Sequence, residues 1–182
     1  MTESLFPAAA RLRNSPSAIA LVLLLVSAAT ILGALGFEHI GGYEPCALCL
    51  EQRWPYYVGV PVAFAAWLSI ALAAPRWLAG LLLALFAGLM LYGFGLAIYH
   101  SGVEWGFWAG PASCAPAGGV PGSAGAMLQS LQAGVHGPSC TEATWRLLGL
   151  SFAGWNAIVS ALLVAGAALA FRRLYGSSSA SQ

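Results

Sequence analysis

The sequence contains no lysine and no aspartate, and charged residues make up only 7% of its 182 residues. A soluble domain carries about 25% charged residues, so this chain has too few to cover a water-facing surface. A nucleic-acid-binding surface needs clustered basic residues, whereas the formal net charge here is +1. The composition excludes a soluble enzyme and a nucleic-acid-binding protein. With 59% hydrophobic residues and a mean hydropathy of +0.78, the expected surroundings are a lipid bilayer.

Four apolar stretches are long enough to cross a membrane, which takes about 20 helical residues. None of them contains an aspartate, glutamate, lysine or arginine. Because backbone polar groups in lipid must be satisfied within their own segment, each stretch is predicted to be a helix. We therefore expect an all-α integral membrane protein, one membrane domain over residues 1–182 folded as a four-helix transmembrane bundle. The predicted spans are residues 17–36, 54–74, 77–99 and 152–171.

The arginines predict the orientation, because basic residues in short flanks stay on the cytoplasmic side. Four crossings place five of the seven arginines on one face, and both termini are then cytoplasmic. Two periplasmic loops follow, residues 37–53 and 100–151. Residues 1–36 could instead be a cleaved signal peptide, but their apolar core of about 20 residues exceeds the usual 7–15. The five arginines are Arg11, Arg13, Arg76, Arg172 and Arg173.

All four cysteines fall in the two outer segments. Cys46 and Cys49 lie in the first loop, and Cys114 and Cys140 lie in the second. Thiols on the periplasmic side face an oxidising compartment, in which disulfides form and persist. Four cysteines allow three pairings, and the sequence does not choose among them.

The pair Cys46 and Cys49 forms a CxxC motif directly before the second span. A thiol near a helix N-terminus is favoured as the thiolate, which is the species that attacks disulfides. The spacing also suits a strained, exchangeable disulfide. Arg53, one helical turn beyond Cys49, adds positive charge at the same level, although it could also be a snorkelling interfacial anchor.

Two other uses of the cysteines are open. Cys114 and Cys140 could form a purely structural staple, and zinc could bind a mixed set of cysteines with His39, His100 and His136. However, one CxxC without a second closely spaced ligand pair does not make the usual zinc pattern, so no metal is predicted. Two redox pairs beside a membrane favour an electron relay.

Two further stretches carry structural signals. Residues 123–133 have Met127, Leu128 and Leu131 at helical spacing, which suits a short surface helix or an ordered loop. The fourth span has alanines at four-residue intervals, a stripe of small side chains that would let a neighbouring helix approach closely. These alanines are Ala153, Ala157, Ala161 and Ala165.

Three motifs together resemble the DsbB family, the bacterial disulfide bond formation proteins. They are HIGGYEPCALCLEQR around the CxxC, GVEWGFW ahead of Cys114, and GLSFAGW entering the fourth span. The resemblance covers nearly the whole chain in matching order. It implies an inner-membrane oxidoreductase that sustains disulfide bond formation in the periplasm.

The resemblance also implies roles for individual residues. A periplasmic thiol oxidase of the DsbA type would form a mixed disulfide with Cys114, which releases Cys140 to exchange with Cys46. Cys49 would pass the electrons to a membrane quinone, either ubiquinone or menaquinone. Arg53 and His100 match family positions near the quinone. His39 also matches a family position, without an assigned role.

Three alternatives to this function are open. A relative dedicated to one substrate would share the same chemistry. A quinone reductase of the vitamin K epoxide reductase kind shares four helices and a CxxC, but usually places its CxxC after its loop cysteines. A non-enzymatic membrane scaffold would use its disulfides only to brace the loops.

Overall fold

The computed structural model describes residues 15–111, 114, 139–143 and 145–176, and the predicted surface helix at 123–133 lies outside them. The described part contains five helices and one short antiparallel hairpin that precedes the last helix. In chain order the elements are α1 (Pro16–His39), α2 (Ala47–Glu51), α3 (Trp54–Ala71), α4 (Arg76–Glu104), β1 (Arg146–Leu147), β2 (Leu150–Ser151) and α5 (Phe152–Gly176).

Four helical segments are long and apolar enough to cross a membrane, which agrees with the prediction of four spans. The second consists of α2 and α3, which follow each other with a break at Gln52 and Arg53. Ser15 caps α1, because its Oγ accepts a hydrogen bond from the Ala18 N–H at 3.1 Å. Helix α4 continues to Glu104, five residues beyond the predicted span. His100 therefore lies in a helix and not at the start of a loop.

The four long helices form a closed ring, in which each packs along two neighbours. Helix α1 lies between α3 and α5, and α4 lies between the same two helices on the other side. The interior contains apolar side chains such as Leu83, Phe86 and Met90, while many large apolar side chains face outwards. Such an apolar exterior matches a hydrocarbon solvent. Buried Ser27 donates its hydroxyl to Leu23 O at 2.6 Å, so it leaves no polar group unsatisfied.

The alanine stripe of the fourth span is buried only in its first half. Ala153 and Ala157 are buried, but Ala161 and Ala165 are exposed, so the predicted four-residue packing face is wrong for its second half. Four residues turn a helix by about 40° more than a full turn, so a four-residue stripe rotates away from the neighbour. The buried face of α5 instead continues through Ser160, Leu163, Ala167, Ala170 and Leu174.

The two ends of the bundle differ in chemistry. At one end Tyr175 donates its hydroxyl to Arg76 O at 3.1 Å, which joins the end of α5 to the start of α4. Arg172 and Arg173 lie in the same last turns of α5. At the opposite end lie the end of α1, all of α2, the end of α4 and the start of α5. This second end, called the outer end below, carries all four cysteines.

Candidate active site at the outer end

The CxxC motif forms the start of the short helix α2. Cys46 is its N-cap, and the Cys46 sulfur accepts the backbone N–H of Cys49 at 3.4 Å. The two sulfurs lie 2.9 Å apart and are not bonded to each other. The pair is therefore present as a dithiol, although its spacing suits the exchangeable disulfide predicted from the sequence. Cys46 is buried, whereas Cys49 is half-buried.

The second cysteine pair is bonded. Cys114 and Cys140 form a disulfide with a Cα–Cα distance of 5.3 Å. Both residues pack in one buried cluster with Cys46, Leu48 and Val103. The structure thus brings together all four cysteines named from the sequence, with Cys46 as the CxxC residue that belongs to the buried cluster.

His100 lies beside Cys46. Its Nε2 atom is 3.7 Å from the Cys46 sulfur and 3.8 Å from Oε1 of Glu104, one turn further along α4. On the other side of the ring, Nδ1 is 2.7 Å from Nε2 of Gln52. An amide nitrogen can only donate, so His100 accepts at Nδ1 and carries its proton at Nε2, towards Cys46.

These neighbours favour the thiolate form of Cys46. The Cys49 thiol, held at hydrogen-bonding distance, and then the His100 ring lower the pKa of Cys46 to about 4, although burial alone would raise it. The backbone N–H of Cys49 acts in the same direction, as expected for a thiol at a helix N-terminus. Cys46 is therefore a thiolate at neutral pH.

A chain of buried hydrogen bonds ends at Nδ1 of His100, the ring nitrogen that is turned away from Cys46. Gln52 Oε1 accepts from Asn156 Nδ2 at 2.6 Å, and Asn156 Oδ1 accepts from the Tyr56 hydroxyl at 2.7 Å. Tyr56 also lies 3.1 Å from the Ser160 hydroxyl. Every amide in the chain donates in the same direction, from Tyr56 towards His100. Such a satisfied network fixes side-chain orientation.

Cys49 faces a cavity of about 290 Å³ between α1, α2, α3 and α5. Its polar lining comprises Thr30, Glu38, Tyr43, Glu44, Cys49, Gln52, Arg53, Tyr56 and Asn156. Cys46 and His100 do not line it. The apolar side includes Ile31, Ala34, Phe37, Phe152, Ala153 and Val159.

Arg53 forms an ion pair with Glu38 at the end of α1. The Arg53 side chain is only 11% exposed and lines the cavity, so its guanidinium does not extend into water as a snorkelling anchor would. It stands at the break between α2 and α3, one turn beyond Cys49. The guanidinium of Arg53, paired with the Glu38 carboxylate, is thus fixed at the cavity wall that also carries the Cys49 thiol.

Several site residues were not identified from the sequence. Asn156 is a polar residue inside an apolar span, which is by itself a functional signal in membrane proteins. Glu104 follows His100 at an (i, i+4) spacing, which places both on one face if α4 continues. His39 is exposed and outside the site, and His136 lies beyond the described residues.

Comparison with known proteins identifies the family of the chain. The family model described as "Disulfide bond formation protein DsbB" matches residues 16–170. A disulfide bond formation protein B of Marinobacter nauticus is 34% identical over 150 residues, which cover 79% of this chain and 84% of the relative. One of Dechloromonas aromatica is 34% identical over 158 residues, with 78% and 88% covered.

An uncharacterized Rickettsia prowazekii protein, RP370, is 28% identical over 147 residues, which cover 79% of this chain and 81% of that protein. No solved structure matches significantly. The family match extends from the first turn of α1 almost to the end of α5, so it includes the whole bundle and both cysteine pairs. By this match and by the two relatives at 34% identity, the chain is a multi-pass membrane protein that belongs to the DsbB family of disulfide bond formation proteins.

Proposed function

We propose that the protein is a thiol:quinone oxidoreductase that reoxidises a periplasmic thiol oxidase of the DsbA type and passes the electrons to membrane quinone. One observation carries this proposal. The CxxC pair contacts two different surroundings, because Cys46 packs with the Cys114–Cys140 disulfide while Cys49 lines the cavity with Arg53. A dithiol placed in this way connects a disulfide donor to an oxidant.

The first half of the reaction uses the loop disulfide. A thiolate of the partner attacks Cys114 Sγ, which breaks the Cys114–Cys140 bond and releases the Cys140 thiolate. The second thiolate of the partner then attacks the partner sulfur of this mixed disulfide. The partner gains a disulfide, and Cys114 is released as a thiolate. Cys114 retains 7% exposure whereas Cys140 has none, which favours Cys114 as the sulfur that a partner reaches.

The second exchange returns the loop pair to its oxidised state. Cys140 attacks Cys46 Sγ of an oxidised CxxC pair, and Cys49 leaves as the thiolate. Cys114 then attacks Cys140, which reforms the loop disulfide and releases Cys46. The two electrons are now on Cys46 and Cys49. This is the redox state of the structure, with a bonded loop pair and a CxxC dithiol.

The last step oxidises the CxxC dithiol. When Cys49 gives up two electrons at the cavity wall, the Cys46 thiolate attacks Cys49 Sγ, 2.9 Å away, and closes the disulfide. An acceptor bound there would take up the two electrons, one proton from the Cys49 thiol and a second proton from solvent. Arg53 supplies a fixed positive charge beside the developing negative charge of the reduced acceptor, which is electrostatic stabilisation of the usual kind.

The residues of the cavity fit a quinone. A quinone combines a flat apolar ring with two carbonyl oxygens and an apolar tail, and the cavity combines aromatic and aliphatic walls with N–H groups of Arg53 and Asn156. When bound there, a quinone would supply the two-electron oxidation that re-forms the Cys46–Cys49 bond. Arg53 and Asn156 would hold it at its polar side, beside Cys49.

The membrane placement follows the same proposal. Arg76, Arg172 and Arg173 lie at the end of the bundle opposite the cysteines, and basic flanks stay in the cytoplasm. We place the protein in the bacterial inner membrane with its cysteines in the periplasm. An impermeant maleimide added to intact cells after reduction should label them, and labelling only after lysis would overturn this orientation.

The activity can be tested with purified protein in detergent. Reduced DsbA-type partner and a soluble quinone analogue are added, and quinone absorbance is followed. We expect turnover in the parent protein and background rates in Cys49→Ser and in Cys114→Ser. A matched control is Ser139→Ala, which changes a half-buried residue beside Cys140 without removing a sulfur.

Two outcomes would contradict the proposal. Quinone consumption that is unaffected by both cysteine variants would exclude the relay and leave a membrane scaffold with structural disulfides. Turnover that requires Cys49 but not Cys114 would indicate an enzyme that takes its electrons directly at the CxxC pair, and not through the loop.

A further inference from the structure

The geometry points to a metal site in the reduced protein, formed by Cys46 and Cys49 of α2 and His100 and Glu104 of α4, that takes a thiophilic divalent cation such as Zn²⁺. It goes beyond the redox function proposed above and does not depend on it. The sequence lacks a second closely spaced ligand pair next to the CxxC, which argued against zinc. The fold supplies that pair, because His100 lies next to the two sulfurs and Glu104 lies one helical turn further along α4, 3.8 Å from His100 Nε2.

The ligand atoms are already close to tetrahedral spacing. One ligand atom each from Cys46, Cys49 and His100 lies within 4.8 Å of the others. The sulfurs are 2.9 Å apart, Cys46 Sγ is 3.7 Å from His100 Nε2, and that nitrogen is 3.8 Å from Glu104 Oε1. Tetrahedral zinc with its usual bond lengths needs edges of about 3.3–3.8 Å. Shifts of about 1 Å would close the two sulfurs and the histidine nitrogen around an ion. Glu104, which lies outside this 4.8 Å group, would have to turn its carboxylate towards the sulfurs.

The buried carboxylate of Glu104 is a second observation, independent of the ligand spacing, that points to a cation. Its side chain is 4% exposed, and Oε2 has no hydrogen-bond partner among the described residues. A buried carboxylate oxygen without a partner is costly, and a cation between Glu104 and the sulfurs would satisfy it. The two thiolates alone balance a divalent charge, and with the carboxylate the bound site would carry a net charge of −1.

The proton balance is consistent with binding. Both thiols must be deprotonated as the ion enters. Nε2 of His100 must lose its proton to bind a metal, so the ring carries its proton at Nδ1 instead. The Gln52 amide then turns over, and its Oε1 accepts a hydrogen bond from this Nδ1–H. Asn156 turns with it. Gln52 then orients the histidine by a hydrogen bond to its other ring nitrogen, as the partners of metal-bound histidines do in zinc sites.

The site exists only in the dithiol state. When Cys46 and Cys49 form a disulfide, both thiolates are lost, and a histidine with one carboxylate remains. Metal binding would therefore hold the pair reduced and stop its reoxidation until the ion leaves. Free zinc at the outer end would then act as an inhibitor of the reduced protein.

The test measures binding and not turnover. The full-length protein in detergent is reduced, freed of reductant and titrated with Co²⁺, whose tetrahedral thiolate complexes have intense visible bands, and then with Zn²⁺ against a chromophoric chelator. We expect one ion per chain in the reduced protein and none after oxidation.

Glu104→Gln and Gln52→Leu should each weaken the affinity for Zn²⁺ at least about tenfold, and Cys46→Ser should abolish Zn²⁺ binding. Glu51→Gln, which removes an exposed carboxylate near Cys49, should bind like the parent.

Two results would overturn the inference. One is the absence of tetrahedral cobalt bands in the reduced parent. The other is Zn²⁺ affinity that depends on the cysteines but is unchanged in both Glu104→Gln and His100→Leu, which would show binding by an exposed dithiol alone. Because Glu104→Gln only neutralises an unpartnered carboxylate, we expect it to fold, and a thermal melt like that of the parent verifies this. Either negative result would overturn the metal site without changing the result expected in the quinone assay.

Discussion

The two sulfurs of the CxxC motif are three residues apart and have opposite surroundings. Cys46 is buried among the loop disulfide, His100 and Glu104, and it carries the negative charge. Cys49 lies at the wall of a largely apolar cavity that also contains Arg53. A short helix start thus divides one motif into a side for disulfide exchange and a side for an oxidant. The predictions below test whether the two sides are separable.

The largest effect is expected from replacing each CxxC sulfur. Cys46→Ser and Cys49→Ser should both reduce turnover to background, but they should accumulate different species. In Cys49→Ser the remaining Cys46 can still bond to Cys140, its neighbour in the buried cluster. In Cys46→Ser the remaining Cys49 is half-buried at the edge of that cluster and lines the cavity. Mass mapping without reduction should find the Cys46–Cys140 bond in the first variant and no Cys49–Cys140 bond in the second. Equal amounts of both bonds would show that the two sides are not distinct.

A smaller effect is expected at Arg53. Arg53→Ala or Arg53→His should slow quinone reduction by about 10²-fold, because one charge that stabilises the reduced acceptor is lost. Exchange between the partner and Cys114 should change much less, since Arg53 is on the Cys49 side. Stopped-flow measurement of each half-reaction separates the two. Arg146→Ala, an exposed arginine of the outer hairpin, is the matched control, and equal loss in both half-reactions would count against this role.

Replacing His100 tests the side of the CxxC motif on which Cys46 lies. We expect His100→Leu to raise the pKa of Cys46 above its value of about 4, because the Nε2–H next to the sulfur is lost. The parent thiolate should persist as pH falls until about 4 and be protonated below that value. The stability that the lowered pKa contributes is complete above the ordinary thiol pKa of 9.0 and is lost progressively as pH falls from there to about 4. Thiolate absorbance in the ultraviolet reports the midpoint.

The same variant should leave the KM for the quinone analogue within about twofold, which is under 0.5 kcal/mol, since His100 does not line the cavity. The exposed His39→Gln variant should change neither quantity. A large rise in KM for His100→Leu would place this residue at the oxidant after all, as the family resemblance implies.

The smallest effect is expected from packing near the loop disulfide. A Cβ added at Gly102 would lie 2.0 Å from the Trp108 ring, whereas one added at Gly95 on the same helix meets nothing within 4 Å. Gly102→Ala should destabilise the protein by about 1–3 kcal/mol and slow partner exchange. Gly95→Ala should keep or raise the melting temperature. Thermal melts with the two half-reaction rates test this, and a Gly102→Ala protein with parental melting would contradict it.

Much of the architecture could be predicted from the sequence, because it depends on local composition. The four spans agree with the structure to within a few residues at most ends, since an apolar run of sufficient length has few alternatives to a helix in lipid. The end of α4 was placed too early. Ser101, Gly102 and Glu104 are polar or flexible, and packing against the outer cluster keeps them helical.

The sites were predicted less completely. Cys46, Cys49 and Arg53 were identified because their signal is contiguous. Asn156, Gln52 and Glu104 were not, because each acquires its role from a partner about 50 or more residues away, such as Gln52 with His100 and Asn156 with Gln52.

By itself the sequence determined the solvent, the number of crossings and the presence of all four thiols on one side, because hydropathy and charge act locally along the chain. Only the tertiary structure decided that Cys46 faces the disulfide and Cys49 the cavity, and that His100 belongs with Cys46. Those outcomes depend on how four helices rotate against one another, and each rotation is set by the packing of all its neighbours together.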